Sequence, residues 1–164
     1  MSAPRFSEER LQEIEALAKR YPGRRSLLLP VLHMAQQDFG HVGEDVQRMV
    51  AEVVGVPLMW VKEVVTFYTM FREQPCGKYL VEFCTNASCM VNGAYELMQT
   101  MCDRLGIKPG ETTPDGLFTV KEVECLGACA GAPVVQVNHG PYRERADEAF
   151  VEELINEARK EAGA

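Results

Sequence analysis

The sequence predicts an α+β protein in which a small helical bundle (residues 1–75) precedes an α/β domain (residues 76–164). Three features lead to this division. Through the first 72 residues, apolar side chains recur at spacings of three and four, which is the period of an amphipathic helix. After a connector that contains proline and glycine (73–77), short apolar runs typical of strands alternate with helical segments. Two pairs of cysteines follow two of those runs.

The first region contains four segments with the signals of short helices. Ser7 is suited to cap the first, Pro30 falls in the first turn of the second, and Gly40 can end it. Pro57 suits the start of the fourth, although its β-branched residues leave a strand open there. Four such helices, each with one apolar face, predict a bundle. The expected helices cover about 8–21, 27–39, 44–54 and 58–71.

The second region has the order of elements of a thioredoxin-like sheet. A strand, a helix and another strand can form two parallel strands joined by a right-handed crossover. A hairpin with its turn at Asn138–Pro141 follows, and Asp147 can cap a final helix. The expected strands cover 79–83, 118–124, 134–137 and 142–144, and the first helix of this region covers 91–105.

The cysteine pairs carry most of the functional information. Cys84 and Cys89 form a C-x4-C motif, and Cys125 and Cys129 form a C-x3-C motif. Because each pair follows a predicted strand, the two loops can converge on one metal centre. Four thiolates on two short loops suit a [2Fe–2S] cluster, and C-x4-C is also the first spacing of plant-type ferredoxins. Gly127, within the second pair, permits either a positive φ or a close approach of the backbone to the cluster.

Other uses of four cysteines stay open from the residues alone: two disulfides, a structural zinc site, a redox-active thiol pair, or buried thiols. Disulfides are not expected, because residues 1–10 lack the apolar core of a secretory signal and cytosolic thiols stay reduced. Zinc sites favour C-x2-C knuckles over C-x4-C. A thioredoxin-type enzyme would carry C-x-x-C, and the sequence contains no such motif.

Several other cysteine, histidine and glutamate residues are interpreted as structural or surface residues and not as parts of a functional site. Cys102 falls on the apolar face of a predicted helix and is interpreted as a small core residue, and Cys76 lies in the connector. The histidines, which lack ligand partners at metal-binding spacing, are interpreted as packing or surface residues; they are His33, His41 and His139. The acidic residues near the cysteine loops are expected to face water; they are Glu82, Glu122 and Glu124.

Composition and charge exclude some classes of function. The net charge of −7 divides into −1 for residues 1–75 (nine Lys/Arg and ten Asp/Glu) and −6 for residues 76–164 (eight and fourteen). The acidic domain lacks the basic stripe that nucleic acid requires, so no nucleic-acid partner is expected. Its surface is either simply solvated or docks on a basic partner. The chain has no run of 18 apolar residues, so membrane insertion is not expected either.

Longer motifs extend this interpretation. The second cysteine pair lies in Glu124-Cys125-Leu126-Gly127-Ala128-Cys129, with Ala132-Pro133 shortly after it. The helical region contains the stretches LHMAQQDFG (32–40) and VVTFY (64–68). Together with C-x4-C, these motifs resemble the small thioredoxin-like [2Fe–2S] ferredoxin subunit of bacterial NADH:quinone oxidoreductase, respiratory complex I, along nearly the whole chain. Relatives of that subunit serve NAD-linked hydrogenases and formate dehydrogenases.

The resemblance implies that Cys84, Cys89, Cys125 and Cys129 bind one [2Fe–2S] cluster. It also implies that residues 1–75 dock on a larger flavoprotein subunit that binds FMN and NADH, within a complex at the inner, cytoplasmic face of the cell membrane. The chain would then be an electron-transfer subunit without a catalytic acid or base of its own. The absence of a G-x-G-x-x-G loop agrees with nucleotide binding elsewhere. A structural zinc module and a cysteine-dependent redox enzyme are the alternatives from other classes.

Overall fold

The structure is a computed structural model that describes residues 3–163. The chain forms two compact units that divide between Pro75 and Cys76. Among the described residues, every helix is too short or too polar to span a lipid bilayer. The two units are described in turn.

The N-terminal unit is built from four α-helices, as its apolar periodicity predicts. Ser7 caps the first helix, since its Oγ accepts a hydrogen bond from Arg10 N at 3.2 Å. Gly40 (φ 78°) and Gly55 (φ 73°) end the second and third helices in the left-handed conformation that glycine adopts without strain. The elements are α1 (Glu8–Ala18), a 3-10 turn (Arg24–Leu27), α2 (Leu28–Phe39), α3 (Glu44–Val54) and α4 (Leu58–Phe67).

The fourth segment is a helix rather than a strand, but it ends at Phe67 instead of near residue 71. Tyr68 already leaves the helical conformation, with φ −94° and ψ 103°. Beyond it, the side-chain amide of Gln36 in α2 donates to Met70 O at 2.9 Å and accepts from Arg72 N at 2.8 Å. These two bonds satisfy backbone groups that a longer helix would have paired internally, and they hold the segment against α2.

The helical unit has its own hydrophobic core. Buried apolar side chains from α1 to α4 pack against one another, and all of them lie between Phe6 and Phe71. Val31, Leu32 and Val50 are fully buried within this core. A core confined to one unit is the property expected of a separate domain.

The second unit contains a four-stranded mixed sheet flanked by helices. Its elements are β1 (Tyr79–Cys84), α5 (Ala87–Val91), α6 (Ala94–Leu105), β2 (Phe118–Val123), β3 (Val134–Val137), β4 (Tyr142–Glu144) and α7 (Glu148–Ala162). The strand order is β2-β1-β3-β4. Strands β1 and β2 are parallel, whereas β3 is antiparallel to both β1 and β4. Two parallel strands followed by an antiparallel hairpin and a helix are the thioredoxin-like arrangement that the sequence predicts.

The core of the second unit lies on one face of this sheet. Val81 and Phe83 of β1 are fully buried there, in the same cluster as residues of α6 and α7. Cys102 of α6 is also fully buried in this cluster, which confirms its interpretation as a small core residue. Side chains of a strand alternate between faces, so Glu82 and Cys84 point away from this core.

The predicted helix at 91–105 is wrong in its first part. The structure has two helices here, α5 and α6, which Asn92 and Gly93 separate. Gly93 has a φ of 85°, a left-handed conformation that ends the helical path of α5. Asn86 caps α5 by accepting a hydrogen bond from Ala87 N at 2.9 Å. Cys89 therefore lies in a short helix and not in an open loop.

Gly77, near the start of the second unit, gives a test of this packing. A Cβ atom there would lie 2.7 Å from the carbonyl carbon of Phe118, while Gly77 N donates to Thr119 Oγ1 at 2.7 Å. Gly77→Ala must push the chain away from β2, so we expect thermal or denaturant unfolding to show a loss of about 1–3 kcal/mol. Gly23→Ala is the control, because φ there is −160° and a Cβ would meet nothing within 4 Å. Equal losses in both variants would contradict the close approach at Gly77.

Candidate metal centre

The four cysteines predicted as ligands lie at one edge of the sheet. Cys84 is the last residue of β1, and Cys125 follows the end of β2. Because β1 and β2 are parallel, they end at the same edge. The antiparallel strand β3 begins there, and Cys129 lies in the 3-10 turn Cys129–Gly131 that precedes it. Cys89 lies in α5, which follows β1.

The thiols form one contiguous group with a buried half and a solvent-facing half. Cys125 Sγ lies 3.7 Å from Cys129 Sγ. The thiols of Cys89 and Cys125 both lower the pKa of the Cys84 thiol, so Cys84 lies close to its own partner and to a member of the second pair. Cys84 and Cys89 are only 2% and 1% exposed, whereas Cys125 and Cys129 are exposed. Access to the group is therefore from the loop of the second pair.

Backbone N–H groups act on the pKa of the two buried thiols. Burial raises the pKa of the Cys84 thiol, but the N–H groups of Asn86 and Leu126 and the neighbouring thiols outweigh it and leave that pKa lowered. At Cys89, burial and the adjacent Cys84 raise the pKa of the thiol, and the N–H of Val134 opposes them. Each buried sulfur thus has a backbone donor that favours negative charge on it.

Gly127 gives the second loop its shape. Its φ is 82°, and its N–H donates to Cys125 Sγ at 3.4 Å. A Cβ atom at Gly127 would meet no atom of the chain within 4 Å, so of the two predicted reasons for glycine the structure shows the positive φ. Gly131 differs, because a Cβ there would overlap the side chain of Glu144 in β4. Its small size serves the packing of the loop against that strand.

This donor set fits a binuclear iron–sulfur cluster better than a single metal ion. Within residues 3–163, no three His, Cys, Asp or Glu side chains are grouped so as to hold one ion. A [2Fe–2S] cluster instead takes two thiolates at each of two irons, which bridging sulfides hold apart. Cys84 and Cys89, at the end of β1 and in α5, supply one thiol pair, and Cys125 and Cys129, in the segment after β2, supply the other, which meets that requirement.

Cys76, Cys102 and His33 lie outside the group of four thiols. Cys102 is part of the core of the second unit, and Cys76 is half-buried in the connector. The His33 ring packs on Phe71, with ring centroids 5.1 Å apart. His33 is thus an exposed residue whose ring makes a packing contact, within the range that the sequence indicates.

Glu82 does not face water, so that prediction is wrong. Its side chain is 5% exposed, and its carboxylate oxygens lie 3.0 Å from Lys121 Nζ and 3.2 Å from His139 Nδ1. Burial would raise the pKa of the Glu82 carboxyl, but the hydrogen bonds from His139 and Lys121 outweigh it and leave the pKa lowered. His139 is 38% exposed, which confirms its interpretation as a surface residue, and its ring is held by this contact. Glu122 and Glu124 are exposed, as predicted.

Known proteins resemble the chain over most of its length. The family model described as thioredoxin-like [2Fe-2S] ferredoxin matches residues 14–159. A subunit of NADH-quinone oxidoreductase from Rhizobium meliloti (strain 1021) is 46% identical over 148 residues, which cover 90% of this chain and 88% of the relative. A subunit of NADH-quinone oxidoreductase from Thermus thermophilus is 40% identical over 152 residues, with coverages of 92% and 84%.

Among solved structures, an NAD+-reducing [NiFe]-hydrogenase in the air-oxidized state matches with a TM-score of 0.71 at 24% identity. The match covers 82% of this chain and 23% of that chain, and at this identity it shows a shared fold alone. The helical unit, the thioredoxin-like sheet and the four cysteines at its edge agree with the family match and with the resemblance inferred from the motifs. The chain belongs to the thioredoxin-like [2Fe-2S] ferredoxin family, and its relatives are subunits of NADH-quinone oxidoreductase.

Proposed function

We propose that this chain is an electron-transfer subunit that carries one [2Fe–2S] cluster on Cys84, Cys89, Cys125 and Cys129. It would work beside the FMN- and NADH-binding flavoprotein subunit of an NADH dehydrogenase complex. The convergence of the four thiols at one sheet edge is the observation that carries this proposal. The names of the relatives support the choice of complex. The alternative to an NADH dehydrogenase complex is that the chain is the equivalent small subunit of an NAD-linked hydrogenase or formate dehydrogenase.

In this function, the chain holds the cluster, which is strongly charged. With four thiolates, the cluster supplies a one-electron site whose net charge is about −2 when oxidised and about −3 when reduced. Gly127 N–H donates to Cys125 Sγ, and backbone N–H groups lower the pKa of the Cys84 thiol and oppose the rise at Cys89, so the backbone favours negative charge on these sulfurs. The first two sulfurs are shielded from water, whereas the loop of Cys125 and Cys129 faces the side from which a redox partner can approach. No side chain is needed as acid or base.

The helical unit is proposed to dock on the flavoprotein. Residues 1–75 contain no cysteine, so this unit supplies no thiol to the cluster. Its helix α4 carries two of the most exposed large apolar side chains, Met59 (64% exposed) and Phe67 (78% exposed). Exposed apolar side chains of this size are typical of interaction surfaces. In complex I the subunit would lie at the inner face of the cell membrane without inserting into it.

Electron exchange with the flavoprotein gives a test of the function. The full-length chain is reduced with dithionite, freed of excess reductant, and mixed anaerobically with excess NAD+, with or without the flavoprotein subunit. We expect the visible absorption of the oxidised cluster to return much faster when the flavoprotein is present, because flavin can collect one electron from each of two reduced chains and pass both, with a proton from solvent, to NAD+ as a hydride. Equal rates with and without the flavoprotein would contradict the proposed function.

Gly127→Val is expected to lower the reduction potential of the cluster. A β-branched residue is strained at a φ of 82°, so the loop must shift and lengthen the bond from residue 127 N to Cys125 Sγ. Weaker donation leaves the reduced, more negative cluster less stabilised. A loss of about 1.4 kcal/mol lowers the midpoint of a one-electron couple by roughly 60 mV, which an EPR-monitored redox titration resolves.

Gly127→Asn is the matched control for this prediction. Asparagine tolerates the left-handed conformation better than other residues, so this variant is expected to keep the loop and the midpoint. An unchanged midpoint in a Gly127→Val chain that still holds its cluster would reject a role for this N–H group in the potential.

A further inference from the structure

A network of ionisable side chains lies beside the cysteines, with one buried member and two partly exposed ones. It consists of Glu82, Lys121 and His139, and we call it the Glu82 network. Lys121 in β2 is the register partner of Glu82 in β1, and His139 lies in the turn between β3 and β4. The carboxylate of Glu82 contacts Lys121 Nζ at 3.0 Å and His139 Nδ1 at 3.2 Å. Strand β2 and the turn after β3 thus hold one buried carboxylate of β1.

Asn138 fixes the turn that brings His139 to this carboxylate. The side chain of Asn138 accepts a hydrogen bond from Leu80 N at 2.8 Å and donates one to Lys78 O at 3.0 Å. Asn138 N also donates to Leu80 O at 2.9 Å. The turn is therefore tied to the strand that carries Glu82, so the position of the network is set by the fold.

Glu82 and the ligand Cys84 share one face of β1. They are two residues apart, so their side chains point the same way and their Cα atoms lie about 6.6–6.8 Å apart. Glu82 is 4% exposed and Cys84 2% exposed, and Val81 and Phe83 between and before them point into the core on the opposite face. A charged carboxylate and a cluster thiol are thus buried side by side.

A charge in this position acts on the electron that the cluster gains. Buried charges are screened by salt and water much less than exposed ones. A negative charge near Cys84 opposes the reduced state of the cluster, and a positive charge favours it. The exposed carboxylates Glu122 and Glu124 are close in sequence to the second pair, but solvent screens them.

We propose that the Glu82 network sets the reduction potential of the cluster, with Glu82 lowering it and Lys121 limiting that effect. The inference rests on the proposed function, because it requires a cluster on Cys84. Glu82 and Lys121 bind no iron in this scheme and act only through their electric field. His139 holds the carboxylate in place.

EPR-monitored redox titration of the full-length, cluster-loaded chain tests this proposal. Glu82→Gln removes the negative charge and keeps the shape, so we expect reduction to become about tenfold more favourable, a rise of about 59 mV. Lys121→Met removes the positive charge, and the midpoint is expected to fall, by less than the rise in Glu82→Gln, because the Lys121 side chain is 26% exposed and partly screened. Opposite shifts are the signature of a field effect, because a loosened site would move both variants in the same direction. Glu122→Gln, an exposed acid in β2 next to Lys121 in sequence, is the control and should leave the midpoint unchanged.

The outcomes separate this proposal from the proposed function. Shifts of equal sign in the two variants, or shifts no larger than that of Glu122→Gln, would overturn the role of the Glu82 network and leave the cluster assignment intact. If Glu82→Gln does not fold, Lys121→Met decides: a lower midpoint supports the proposal and an unchanged one overturns it. A wild-type chain that purifies without iron and sulfide and takes up neither on reconstitution would overturn the proposed function, and with it this inference.

Discussion

Replacing any one of Cys84, Cys89, Cys125 or Cys129 by alanine is expected to abolish cluster binding or weaken it severely. Each iron of a [2Fe–2S] cluster takes two thiolates, so the loss of one sulfur leaves an iron incompletely coordinated. The effect should be large at all four positions, including the two exposed ones, because burial does not replace a missing ligand. Visible absorption and iron content of the purified variants measure it.

Cys76→Ala and Cys102→Ala are the matched controls, since both remove a thiol outside the group of four. Both chains are expected to keep their colour. Cys102 is fully buried in the core, so its alanine variant should lose at most about 1–2 kcal/mol of packing. A colourless Cys76→Ala chain together with a coloured Cys84→Ala chain would show that the ligand assignment is wrong.

Deletion of residues 1–72 is expected to leave a folded, coloured ferredoxin domain that no longer associates with the flavoprotein. The core of the second unit is formed by residues between Val81 and Ala158, and the core of the helical unit lies between Phe6 and Phe71, so neither core loses members when the other is removed. The deletion retains Gly77 and its hydrogen bond to Thr119. Affinity purification with the flavoprotein as bait measures the association.

The same assay on the full-length chain and on residues 1–75 supplies the controls. We expect both to bind the flavoprotein, and residues 1–75 to bind without colour. Binding of the truncated chain as tight as that of the full chain would remove the docking role from the helical unit and place the interface on the ferredoxin domain.

The elements with local signals could be predicted from the sequence. Helix α3 has the expected bounds because Gly43 and Gly55 flank a strictly periodic apolar segment. The end of α4 could not be predicted, since it depends on hydrogen bonds from Gln36, which is remote in sequence. The break between α5 and α6 had a local signal, Asn92-Gly93, that the apolar periodicity outweighed.

In the candidate site, too, some features could be predicted from the sequence and others could not. The four cysteines could be predicted to converge because each pair follows a strand, and two parallel strands end at one edge of their sheet. The donors to the buried sulfurs could not, since the backbone N–H groups of Leu126 and Val134 leave no side-chain signature. The burial of Glu82 was missed because its partner His139 comes from a turn far along the chain.

Analysis of iron, zinc and acid-labile sulfide in the anaerobically purified full-length chain tests most directly whether the four cysteines bind a [2Fe–2S] cluster. We expect about two irons and about two sulfides per chain, and zinc only in traces. About one zinc per chain, with neither iron nor sulfide, would contradict the cluster and favour a structural zinc module instead.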